Sequence, residues 1–208
     1  AGESQVLQTW RARLATAGVQ LSRQLQLAGD GKMVLYVNKI SDRELTALRG
    51  MPLKSLDISN AEAVRSLAPL AGMPLESLNI HTTDIDSLEP LRGMPLRTFS
   101  IHESRVTDLR PLAGMPLTNL VLHGCRQLED ISPLAGLPLR SLALDGAIVQ
   151  NLAPLTAMPL EELVLRCNTI TNIAALAGMP LRKLEVNVIR VPDLSPKSEE
   201  HTSELQSL

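Results

Sequence analysis

Gly50-Met51-Pro52-Leu53-Lys54-Ser55-Leu56-Asp57-Ile58 decides the fold, because the chain keeps repeating it. The dipeptide Pro-Leu returns at Pro52, Pro74, Pro95, Pro116, Pro138, Pro159 and Pro180, in steps of 21 or 22 residues. Most copies carry the full Gly-Met-Pro-Leu, as at residues 50–53 and 178–181. Seven copies at so narrow a period signal a stacked solenoid, whose units cannot bury their apolar faces alone.

The apolar positions keep the same phase. Leu53, Leu56 and Ile58 are matched by Leu75, Leu78 and Ile80, then by Leu96, Phe99 and Ile101. The series continues through Leu117, Leu120 and Leu122 to Leu181, Leu184 and Val186. Leu-x-x-Leu-x-Leu ends in two-residue alternation, so its last pair shares one face of a short strand. A second pair follows in each unit, as Ile85 with Leu88 and Val149 with Leu152. Two longer units place one extra residue before it, ahead of Val64 with Leu67 and Leu128 with Ile131; an insertion in a turn costs little. Next comes Pro-Leu-x-Gly, as at residues 69–72 and 111–114. Proline fixes φ and removes a donor, so a single 3₁₀ or α turn starting there fits better than a long helix.

Composition agrees. Hydrophobic residues make up 44% of the chain, yet it holds one Trp, one Tyr and one Phe. A globular core normally uses several aromatics for bulk, so leucine alone implies many equivalent small slots. The net charge of -2, from 20 basic and 22 acidic residues, lacks the basic footprint of nucleic-acid binding and any polybasic membrane patch. No 18-residue apolar run provides a membrane span. No signal peptide opens the chain, which begins at Ala1; the reading favours the cytoplasm for a fragment whose natural N-terminus is missing.

These motifs resemble the leucine-rich repeats of the short 21–22-residue class found in internalin-like bacterial proteins. The resemblance covers about residues 33–196, one degenerate unit and seven others, the last truncated. It implies an α/β fold: a right-handed solenoid with a parallel sheet on the concave face and short 3₁₀ or helical turns on the convex face. Arrays with Gly-Met-Pro-Leu and Leu-x-Pro-Leu are also similar to those attached to serine/threonine kinases in some environmental bacteria, which implies a sensory or scaffolding part of a larger enzyme. The family often places Asn eight residues after the first strand leucine. Here that column reads Ala61, Thr83, Ser104, Cys125, Ala147, Asn168 and Ile189, which predicts less regular turns. Cys125 reads as a small buried residue, and Cys167, two coils away in another column, lies too far from it for a disulfide.

Both ends depart from the repeat. Residues 4–21 have helical spacing (Val6, Leu7, Trp10, Leu14, Val19), and residues 1–32 are the expected helical cap that a solenoid needs. Residues 33–48 read as the degenerate unit, with Val34 to Val37 as strand. After Pro196 the register is lost. Ser198 to Ser207 resembles the translation of a common DNA-sequencing adapter, with Lys197 outside the match, so residues 197–208 read as a disordered, artefactual tail.

Function then has to sit on side chains displayed between the inward leucines. Three display columns emerge. The first runs Ser55, Ser77, Thr98, Asn119, Ser141, Glu162, Lys183; the second Asp57, Asn79, Ser100, Val121, Ala143, Val164, Glu185; the third Ser59, His81, His102, His123, Asp145, Arg166, Asn187. Outside the tail, every histidine lies in the third column. Stacked imidazoles suit a pH-sensitive patch, but a parallel ladder points them the same way and suits a tetrahedral metal poorly. Val121, Ala143 and Val164 form an apolar stretch beside His123 and Arg166, as a partner-binding patch does. The candidate partner-binding residues are therefore Asn79, His81, His102, Val121, His123, Val164 and Arg166. The expected partner is a protein or peptide; a structural spacer is the bland alternative. No P-loop, nucleophile elbow, kinase loop or metalloprotease helix occurs, so no catalytic residue, cofactor or metal is assigned.

Overall fold

The computed structural model describes residues 5–19, 24–29, 31–167 and 169–186. The ends of the expected helix at residues 4 and 21, Asn168, Asn187, Ile189, Val191, Leu194 and the adapter-like tail lie outside the described residues.

One sheet of nine strands runs in sequence order. β1 (Leu25–Leu27) pairs antiparallel with β2 (Met33–Lys39). Seven parallel strands follow: β3 (Leu53–Asn60), β4 (Ser77–Ile80), β5 (Thr98–His102), β6 (Asn119–His123), β7 (Ser141–Asp145), β8 (Glu162–Arg166) and β9 (Lys183–Val186). The register places equivalent residues side by side: Leu35, Leu56, Leu78, Phe99, Leu120, Leu142, Leu163 and Leu184 form one row. The row is buried from Leu35 to Leu163 and half-buried at Leu184. Each coil thus covers the aliphatic face of the one before. The single Phe takes a leucine slot, and Phe99 is fully buried there.

The convex side is built from short 3₁₀ turns at Ala68–Leu70, Glu89–Leu91, Arg110–Leu112, Ser132–Leu134, Ala153–Leu155 and Ala174–Leu176. Each turn opens one residue before the position expected from the proline, so the ring sits second, where no intrahelical N–H is needed. The last turn forms with Ala175 in place of proline. A polar column sets where these turns begin. Ser66, Ser87, Asp108, Asp130, Asn151 and Asn172 each accept a hydrogen bond from the backbone N–H two residues on, at 2.8–3.3 Å. Short Ser, Asp and Asn side chains make this local bond readily.

The two longer units absorb their extra residue in a turn, closed by Val64 N–H to the Ala61 carbonyl at 2.9 Å and Leu128 N–H to the Cys125 carbonyl at 3.0 Å. The column where the family places Asn is buried at Ala61, Thr83, Ser104, Cys125 and Ala147. Its polar members find other partners. Thr83 Oγ1 accepts from Ile85 N–H, and Ser104 Oγ lies 3.3 Å from Cys125 Sγ in the next coil. Both cysteines are free and buried.

At the N-terminal end, α1 (Gln5–Thr16) buries Leu7, Trp10 and Leu14, while Val6 points outward. After β2 comes α2 (Asp42–Ala47), whose Ser41 and Glu44 form a reciprocal capping box. That pair satisfies two first-turn donors at once.

Candidate functional site

Because inward leucines alternate with displayed residues, each of β4 to β8 contributes up to three side chains to the face opposite the core. The register joins them into rows across the sheet. One row begins with the histidines. His81 and His102 stack with ring centroids 4.1 Å apart and planes at 22°; His102 and His123 stack at 5.1 Å and 26°. Ser100 Oγ and His102 Nε2 form a hydrogen bond at 2.9 Å.

The row then changes character. His123 Nε2 lies 3.0 Å from Asp145 Oδ2, and Arg166 Nη1 lies 3.5 Å from the same carboxylate oxygen. Arg166 also grips Glu185 on β9, with Nη2 at 2.6 Å and Nε at 2.8 Å from Oε1. Glu185 first, then Asp145, holds the Arg166 guanidinium firmly protonated. Ring stacking and ion pairs therefore link His81, His102 and His123 in turn to Asp145, Arg166 and Glu185.

Burial pushes the His102 imidazole below its ordinary value of 6.5; charge on His81 and His123 adds to this, and Glu103 opposes it. Neutral rings stack without penalty, whereas a proton on one disfavours a proton on its neighbour. This middle ring resists protonation.

The adjoining row is apolar at its centre: Val121 on β6, Ala143 on β7 and Val164 on β8 are in register and half-buried. Asn79 closes the other end, donating from Nδ2 to Asp57 Oδ2 at 2.9 Å, with its Oδ1 buried and unpartnered among the described residues. All seven sequence-derived candidates thus lie on one face. Val121, His123, Val164 and Arg166 form a contiguous patch, as do Asn79, His81 and His102. Asp57, Asp145 and Glu185 were not among those candidates, although their column phases placed them on this face. What their phases did not show is that each carboxylate is already occupied by a neighbouring coil. Among the described residues, no group of three or more His, Cys, Asp or Glu is placed to hold a metal ion, and no helix is long and apolar enough to cross a membrane.

Further ion pairs flank the face. Glu76 lies between Lys32 and Lys54, Asp84 between Arg65 and Arg105, and Glu161 between Arg140 and Arg182. These exposed pairs contribute little individually, but each tethers one coil to the next.

The chain folds as an α/β leucine-rich-repeat solenoid. No protein-family model matches it, and none of the curated proteins does. Solved structures do. An internalin (InlF) of Listeria monocytogenes is similar at TM-score 0.63 and 22% identity, over 85% of this chain and 54% of the other. Internalin C2 (InlC2) of the same organism is similar at TM-score 0.54 and 20% identity, over 88% and 93%. The present chain thus spans about half the length of the first.

Proposed function

We propose that this array is a non-catalytic binding module for a protein or peptide segment, engaged along the concave face through Asn79, His81, His102, Val121, His123, Val164 and Arg166. The observation that carries this reading is the in-register apolar strip Val121, Ala143 and Val164, bordered by the His123–Asp145–Arg166 row. An apolar strip with a polar border is how a recognition patch is built. Internal leucines fix the coil, leaving displayed positions free to vary, and that freedom lets repeat arrays use this face for recognition.

The test is selection of peptides from a random displayed library on the immobilised protein. Binding of a selected peptide is then compared between the parent and a Val121→Ser, Val164→Ser, Arg166→Ala variant whose circular dichroism is unchanged. Loss of at least tenfold in affinity, about 1.4 kcal/mol, is the expected result. Undiminished binding by the variant overturns the concave-face reading and favours a spacer.

A further inference from the structure

The chain has one Trp, one Tyr and one Phe; Trp10 and Phe99 are in the core, whereas Tyr36 is 54% exposed. Tyr36 lies on β2 between buried Leu35 and Val37, so its ring stands on the face opposite the core. Packing does not need it there. In register beside it on β3 is Asp57, and neighbouring strands hold their backbones about 4.8 Å apart.

Asp57 is a half-buried carboxylate with an incomplete shell. Its Oδ2 accepts from Asn79 Nδ2 at 2.9 Å. Among the described residues Oδ1 accepts nothing, and no cation forms an ion pair with the group. Lys54, on the same strand, is paired with Glu76 at 3.3 Å. The neutral amide of Asn79 fixes the carboxylate's orientation without cancelling its charge. The rest of the face carries the same sign. Strands β3 to β9 display Asp57, Asp145, Glu162 and Glu185 against Arg166 and Lys183, and Arg166 is already held by Asp145 and Glu185. Between Asp57 and that charged end, β4 to β6 display no Asp, Glu, Lys or Arg.

We propose that Tyr36 and Asp57 form the seat for an arginine side chain of the peptide that lies along the concave face. This rests on the concave-face reading above and names that partner's chemistry. A guanidinium is planar, so it lies flat on a tyrosine ring while its N–H groups reach a neighbouring carboxylate. Lysine's compact ammonium is more strongly hydrated and has no plane to stack. An acidic segment would meet an excess of carboxylates. The sheet then sets the spacing of the anchors. From Asp57 on β3 to Val121 on β6 is about 14 Å, and to Val164 on β8 about 24 Å. An extended peptide covers these spans in roughly 4 to 7 residues. The partner segment is thus an arginine, an uncharged stretch over β4 and β5, and aliphatic residues on the strip.

The probe is the peptide Arg-Ser-Thr-Ser-Thr-Val-Leu-Val, amidated at its C-terminus and fluorescein-labelled at its N-terminus, followed by fluorescence anisotropy at low salt. Its control carries citrulline, the uncharged isostere, in place of arginine. The parent is expected to bind the arginine peptide about tenfold tighter, the worth of one hydrogen bond to a charged group. This readout changes the peptide alone, so it does not depend on the folding of any variant. Asp57→Asn is expected to bind the two peptides alike, and Tyr36→Ser to keep no more than about a third of the preference. Equal affinity of the parent for the two peptides, no binding of the arginine peptide, or a preference kept in full by either variant overturns the proposal. If the library-selected peptides still depend on Val121, Val164 and Arg166 while arginine shows no preference over citrulline, the arginine seat alone fails. If that dependence is also absent, the concave-face reading fails with it.

Discussion

Replacing Ala157 by glycine is expected to stabilise the protein, although it deletes a methyl group. Ala157 adopts φ 64°, and it occupies the place in its coil that Gly136 occupies, at φ 76°, one coil earlier. An L-residue in this left-handed region costs roughly 1–2 kcal/mol, and glycine's extra freedom in the unfolded chain returns roughly 0.5–1 kcal/mol of that. The net gain is then about 0.5–1 kcal/mol. Urea unfolding followed by circular dichroism reads it directly. With m of roughly 3 kcal/mol/M, the midpoint rises by about 0.2–0.3 M at unchanged m. The reciprocal Gly136→Ala isolates the conformational cost, because a Cβ there meets nothing within 4 Å. It is expected to lose a similar amount. A midpoint that stays put or falls for Ala157→Gly, together with a neutral Gly136→Ala, refutes the reasoning.

Three other expectations follow from the geometry. Asn151→Ala removes the acceptor for Ala153 N–H at 2.9 Å and should cost about 0.5–1 kcal/mol in the same assay; an unchanged midpoint would show that the polar column does not set the turn. Burial raises both thiols, Cys167 to about 11, so neither should react with Ellman's reagent at about pH 8 until guanidinium unfolds the chain, since the thiolate is the reactive form; prompt native labelling would place them at the surface. His102 has its pKa lowered from 6.5, so the unfolded chain binds its proton first. Its contribution to stability is present above pH 6.5 and is lost as pH falls through the lower folded value. The parent should therefore lose stability on acidification, and His102→Gln should flatten that slope, as thermal unfolding across the imidazole range would show.

The coil was legible because every unit must solve the same burial problem with the same aliphatic residues. Leu56, Leu78, Phe99 and Leu120 had to share a phase in order to share an interior. The flanking features were harder, since each occurs once or carries a weak signal. β1 is three residues long, and Leu25-Gln26-Leu27 gives too little alternation to distinguish strand from loop. The turn-forming Gly29-Asp30-Gly31 just after it was the available hint. α2 is announced by Ser41-x-x-Glu44, a capping box whose signal is local rather than periodic. The polar column Ser66, Ser87, Asp108, Asp130, Asn151 and Asn172 is periodic, yet it stands outside the aliphatic phase and was overshadowed by the column in which Asn168 is the single asparagine. At the site, column phase brings the three histidines onto neighbouring strands. It does not give ring stacking or the engagement of Asp145 by His123 and Arg166, because these depend on rotamers and not on register.

Spin-label distances along the first display column test the stacked coil most directly. With Cys125 and Cys167 replaced by alanine, one label is placed at Ser55 and the second in turn at Asn119, Ser141, Glu162 or Lys183. These positions lie on successive strands of one register row. At about 4.8 Å per strand, backbone separations of roughly 14, 19, 24 and 29 Å are expected, rising by a near-constant step. Distances that do not increase from one coil to the next would contradict the solenoid.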